Sequence, residues 1–150
     1  MLCVRPFSTV HPPGGGRPPD SRHNGRMSTR TCPCGLPLSY DACCGRFHAG
    51  AAKAPTAELL MRSRYSAFVK GDTGYLLRTW HPRTRPERLD LDPRTRWTGL
   101  EILDGTDGSA FHSTGTVTFR ASYRGGSLHE RSRFERVDGA WVYVDGDFLE

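Results

Sequence analysis

Apolar residues at positions 57, 60, 61, 65 and 68 follow the three-and-four spacing of one helix face, so a single amphipathic helix is predicted over 57–70. Thr56 precedes it as an N-cap, and Gly71 follows as a left-handed stop. Position 64 breaks the stripe: Arg64 places a charge where the pattern asks for an apolar side chain. A second helix, capped by Asp72 or Thr73, is predicted to run through Trp80. It closes at His81-Pro82, because the residue before a proline resists the helical conformation. Residues 83–96 are charged and proline-containing and read as a loop. From residue 97 the period drops to two. Strands are predicted over 97–103 and 116–123, the second alternating Val117, Phe119, Ala121 and Tyr123 with Thr116, Thr118, Arg120 and Ser122. Residues 128–137 run back after Gly125-Gly126, and 140–148 follow Asp138-Gly139, a type I′ hairpin signal. Two helices followed by an antiparallel meander give an α+β domain, with the helices on one face of a curved sheet.

A two-residue Asp138-Gly139 loop also sets a register. Val137 faces Ala140, and counting outward places Arg136 against Trp141, Phe134 against Tyr143, Ser132 against Asp145 and Glu130 against Asp147. If this face meets the covering helix, Arg64 reaches Glu130 or Asp145. The expected result is a structural ion pair fixing helix on sheet. The alternative is a ligand or acid–base site, since desolvation and like-charge crowding raise carboxylate pKa values. Trp80 and His81 complete the pocket candidates Arg64, Trp80, His81, Glu130 and Asp145, and no residue is assigned a catalytic role. Arg62, off the stripe, is expected to contribute little to stability.

With 150 residues the chain has room for one domain and its appendages. Residues 1–30, rich in proline and glycine and without apolar period, read as a disordered tail. Met27 offers a start immediately before the first motif, so residues 1–26 are either a flexible arm or lie upstream of the true start. Arg5 and Pro6 interrupt the only apolar run that resembles a signal peptide, and no stretch approaches the ~20 apolar residues of a membrane span. A cytoplasmic protein is expected. The net charge is +5, and four arginines and one aspartate in residues 1–26 account for three of those charges. The remainder is close to neutral, which argues against nucleic-acid binding. The arginines of 83–88 and 94–96 alternate with Glu87, Asp90 and Asp92, as on a solvated loop.

Chemistry concentrates in residues 32–44. Cys32 and Cys34 form a Cys-x-Cys pair, and Cys43 and Cys44 an adjacent pair eight residues on. Pro33 and Gly35 suit a tight reversal that brings the pairs together. Four thiolates so gathered supply a tetrahedral, closed and therefore structural site, for which zinc is the preferred ion and iron the competitor. His48 is a possible substitute for one sulfur. The competing readings are four ordinary buried thiols, or disulfides crossing between the pairs, the latter disfavoured by the lack of secretory features.

Cys-Pro-Cys-Gly followed at this distance by Cys-Cys resembles the SEC-C zinc motif of the SecA translocation ATPase. The blocks Glu58-Leu59-Leu60-Met61-Arg62-Ser63-Arg64-Tyr65-Ser66-Ala67-Phe68, Thr79-Trp80-His81-Pro82 and Glu130-Arg131-Ser132-Arg133-Phe134 are similar to the YchJ-like bacterial proteins. That resemblance implies a SEC-C knuckle over 31–50 and a cone-shaped nuclear transport factor two-like domain over 55–150. Two features depart from it: the segment 36–42 carries no lysine, and no second cysteine motif follows at the C-terminus. The expected function is that of a zinc-binding adaptor with a protein partner, which the resemblance places among translocation- or ribosome-associated proteins. The alternative is a lyase, isomerase or hydrolase working in the cone.

Overall fold

The computed structural model describes residues 30–149; the expectations for the tail through residue 29 lie outside the described residues. After the cysteine-bearing segment come the helices α1 (Cys44–His48), α2 (Ala57–Lys70) and α3 (Thr73–Arg78). Four strands follow: β1 (Trp97–Asp107), β2 (Thr114–Tyr123), β3 (Gly126–Val137) and β4 (Ala140–Phe148). They pair antiparallel in the order β1-β2-β3-β4.

α2 begins and ends where its sequence directs. The Thr56 hydroxyl accepts from the Leu59 amide at 3.1 Å, and Gly71 takes the left-handed conformation at φ 74°. The second helix stops earlier than expected, at Arg78. Trp80 instead forms a parallel bridge to Tyr143, with the Tyr143 N–H donating to Thr79 O and the His81 N–H to Tyr143 O. The edge of β4 thereby satisfies backbone groups that a longer helix would have used.

Asp138 and Gly139 both have positive φ, 53° and 83°, as the two central residues of a type I′ turn require. The expected register holds from Val137↔Ala140 to Phe134↔Tyr143 and then slips by one, so that Arg133 faces Asp145 and Glu130 faces Phe148. The extra residue is Val144, a bulge that bends β4. Further irregularities in β1, after Trp97 and after Ile102, add to the curvature. α2 packs against β1, β2 and β4, and shares one core with Val117, Phe119 and Ala121 of β2, Leu128 and Phe134 of β3, and Trp141 and Tyr143 of β4. The four cysteines and Phe47 belong to this same apolar core. Among the described residues no helix is long and apolar enough to cross a membrane.

Candidate metal centre

Residues 30–44 fold into a knuckle largely through backbone bonds, with the Ala42 N–H also donating to Ser39 Oγ at 3.2 Å. The Cys32 N–H donates to Leu38 O at 2.7 Å and the Tyr40 N–H to Arg30 O at 3.0 Å, closing a short hairpin around Gly35, whose φ is 98°. A turn through 39–43 then delivers Cys43 and Cys44 to the start of α1. Gly45 lets the chain close this turn: a Cβ there would lie 2.7 Å from Tyr40 O.

The four sulfurs of Cys32, Cys34, Cys43 and Cys44 lie within 4.8 Å of one another, and all four residues are at most 3 % exposed. All are free thiols. A tetrahedral ion with metal–sulfur bonds of about 2.3 Å sets sulfur–sulfur separations of about 3.8 Å. Cys34 and Cys43 Sγ, 3.7 Å apart, match that separation, and every other pair in the cluster lies within 4.8 Å. Ionisation of the group is collective. Hydrogen bonds from Cys34 and Cys44 hold the Cys32 thiol far below its ordinary range. The same bond to Cys32 pushes Cys44 up, and burial together with the neighbouring sulfurs raises Cys43 to about 12. One thiolate is tolerated and its neighbours resist, because burial and mutual repulsion penalise each further charge. A divalent cation at the centre removes that penalty.

The knuckle is fastened to the domain. Arg62 Nη1 donates to Cys34 O at 2.8 Å while its Nε pairs with Glu58 at 3.0 Å, and Cys32 Sγ lies 3.6 Å from Ser66 Oγ. Arg62 therefore does more than its off-stripe position suggests: it clamps α2 to a cysteine of the cluster. His48 is not placed as a ligand. One turn beyond Cys44, its Nε2 donates to Ser63 O at 2.8 Å and its Nδ1 accepts from the Tyr40 hydroxyl at 2.6 Å. Burial lowers its pKa and keeps the ring neutral, as this pair of bonds requires. No signal in the linear spacing separates this bracing histidine from a ligand.

The pocket candidates divide between two sides of the sheet. Arg64, Trp80 and Glu130 lie together inside the cone, each at most 1 % exposed. Arg64 Nη1 donates to Leu76 O and Thr79 Oγ1, both at 2.8 Å, and its guanidinium lies over the rings of Trp80 and Tyr143. Tyr143 links the two charged groups, since its hydroxyl donates to Glu130 Oε2, which also accepts from Ser132 Oγ, each at 3.0 Å. Asp145 requires correction. The Val144 bulge turns it to the outer face, where it pairs with Arg133 at 2.5 Å, so it is not a partner for Arg64. His81 also points away from Glu130. Its Nδ1 accepts from the Arg83 N–H, which leaves Nε2 to face Glu135 at 3.3 Å.

The Glu130 carboxyl occupies space that β4 leaves open at Gly146. A Cβ at that position would meet Glu130 Oε2 and stand 2.8 Å from its Cδ and 2.9 Å from Arg131 O. Gly146→Ala is expected to cost about 2–4 kcal/mol, because the obstructed carboxyl is buried and bonded and has no free direction to retreat. Urea denaturation measures it; a loss under about 0.5 kcal/mol contradicts the packing.

The family model for the middle NTF2-like domain of YchJ matches residues 56–146. A UPF0225 protein of Streptomyces coelicolor is 80 % identical over 124 residues, covering 83 % of this chain and 100 % of the relative. One from Corynebacterium glutamicum is 53 % identical over 121 residues, 79 % of this chain and 97 % of that protein. Two solved structures are similar. The solution structure of a SEC-C motif containing protein from Rhodopseudomonas palustris is 33 % identical, with TM-score 0.69 over 81 % of this chain and all of that one. The crystal structure of a SEC-C motif containing protein from Psychrobacter arcticus is 30 % identical, with TM-score 0.65 over 83 % and 85 %. By the matched domain, the relatives and the four-cysteine knuckle that precedes the sheet, this chain belongs to the YchJ-like family.

Proposed function

We propose that this protein is a cytoplasmic adaptor in which Cys32, Cys34, Cys43 and Cys44 hold one structural zinc ion, fixing a knuckle that engages a protein partner. The observation that carries the reading is the closed, buried four-sulfur shell. Thiolate donors in this number favour zinc, and four of them leave no position for water, so the ion shapes the protein and does not activate a substrate. Leu38, 46 % exposed at the knuckle, gives that surface an apolar contact of the kind interfaces use.

The cone supports the adaptor over the acid–base alternative. Arg64, Glu130 and Ser132 are enclosed, and four hollows on the surface of the described residues are walled by other residues. Elemental analysis is expected to find one zinc per chain, absent from Cys43→Ser. Affinity capture with wild type and Cys43→Ser then tests the adaptor role. A partner retained by wild type and lost by the variant supports it; the same set captured by both counts against it.

A further inference from the structure

A hollow of about 230 Å³ opens at the seam between the knuckle and the domain. Its walls come from five parts of the chain: Phe47 at the end of α1, the linker through 50–54, Leu60 on α2, Tyr75 on α3, and Trp141 on β4. Phe47, Leu60, Tyr75 and Trp141 are each at most 3 % exposed, so they form a floor rather than a protruding patch. Trp141 is held in place by its Nε1–H, which donates to Pro55 O at 3.1 Å, and by Arg136 over its ring. The space is smaller than an ordinary cofactor cavity of about 300–1,000 Å³ and suits one bulky side chain.

The rim has one sign of charge. Lys53 and Arg78 line the hollow, and no acidic residue does. Elsewhere Arg62, Arg83, Arg88, Arg94, Arg120 and Arg133 each meet a carboxylate within 4.0 Å, while Arg46, Arg85 and Arg136 bond backbone carbonyls. Arg78 instead donates to His48 O at 2.8 Å and lies over the Tyr75 ring, and among the described residues Lys53 has no ion-pair partner. Two cations beside an apolar floor, in a domain that is otherwise near neutral, are complementary to an apolar side chain flanked by carboxylates.

We infer that this seam is a docking site for an acidic linear segment of a partner protein, anchored by one leucine- or phenylalanine-sized side chain. The inference rests on the adaptor reading and adds the partner's chemistry. It also ties docking to the metal. Phe47 and the linker are positioned by α1, which starts at Cys44, so the hollow exists only while the knuckle is closed.

The test titrates the zinc-loaded full chain with two nonapeptide sets, each with leucine or phenylalanine at the centre. One has aspartate, glutamate and serine at the flanking positions, the other lysine, arginine and serine. The readout is the nitrogen–proton NMR signal of the Trp141 indole and the Ala140 amide. The acidic set is expected to shift both signals and the basic set neither, with binding weakened by added salt. Lys53→Glu, at an exposed position, is expected to weaken acidic-set binding at least tenfold with an unchanged melting temperature. Equal response to both sets, no response to either, or acidic-set binding indifferent to Lys53→Glu overturns the inference. Zinc measured in the same samples separates the two claims: a loaded protein that ignores every peptide sinks the seam site and leaves the metal centre standing.

Discussion

Cys34→Ser is expected to lose the metal and to lower the melting temperature of the entire domain, sheet included. Structural zinc contributes on the order of 10 kcal/mol to the folding of isolated fingers. That is comparable with the whole net stability of about 5–15 kcal/mol of a typical domain. Two features of the structure carry the loss beyond the knuckle. The four cysteines and Phe47 share the core that contains Leu60, Tyr75 and Trp141. Arg62, Ser66 and Ser63 of α2 also bond directly to Cys34, Cys32 and His48. If only about 3 kcal/mol of the metal's contribution reaches the domain, the melting temperature falls by roughly 10–20 °C. Hydrogen exchange on wild type and variant gives the spatial answer: protection is expected to drop in α2 and β2 together with residues 31–48. Full protection of the sheet, with loss confined to 31–48, would show the knuckle to be an independent appendage.

Arg64→Ala is expected to destabilise the protein by about 3–5 kcal/mol, the typical cost of removing one member of a buried charged network. Arg64 is 1 % exposed and ties α2 to the end of α3 through Leu76 O and Thr79 Oγ1 while stacking against Trp80 and Tyr143. Arg64→Lys is expected to recover little, because an ammonium on a flexible stem does not reproduce the planar fork between two rings. Arg62→Ala is the instructive comparison. Its bond to Cys34 O predicts a loss of about 1–2 kcal/mol, short of the Arg64 effect and above that of an exposed arginine. Urea titrations of the three variants give these values; equal losses at 62 and 64 would contradict the assignment.

How far each feature was legible in the sequence depends on the range of the interaction behind it. The helix over 57–70 follows from its own stripe and its own two caps, and Asp138-Gly139 dictates a turn within four residues. The cysteine cluster is legible because eight intervening residues and a Pro-Cys-Gly turn constrain where the pairs meet. The register of β3 on β4 was readable only as far as Tyr143. Nothing in the local sequence marks Val144 as a bulge, and one inserted residue sends every later side chain of β4 to the other face. Asp145 was misplaced for that reason alone. Trp80 leaves its helix for a bridge with a residue more than sixty positions away, and His48 and Arg62 find their partners across the knuckle–domain seam. Such contacts are settled by packing, which a linear pattern does not encode.

Zinc K-edge absorption on the purified protein reads the ion and its donor atoms at once. A centre closed by Cys32, Cys34, Cys43 and Cys44 is expected to show one zinc per chain with a single shell of four sulfur neighbours at about 2.3 Å and no light-atom component. A shell containing nitrogen or oxygen near 2.0 Å would contradict the closed four-cysteine centre, as would a chain that carries no metal at all.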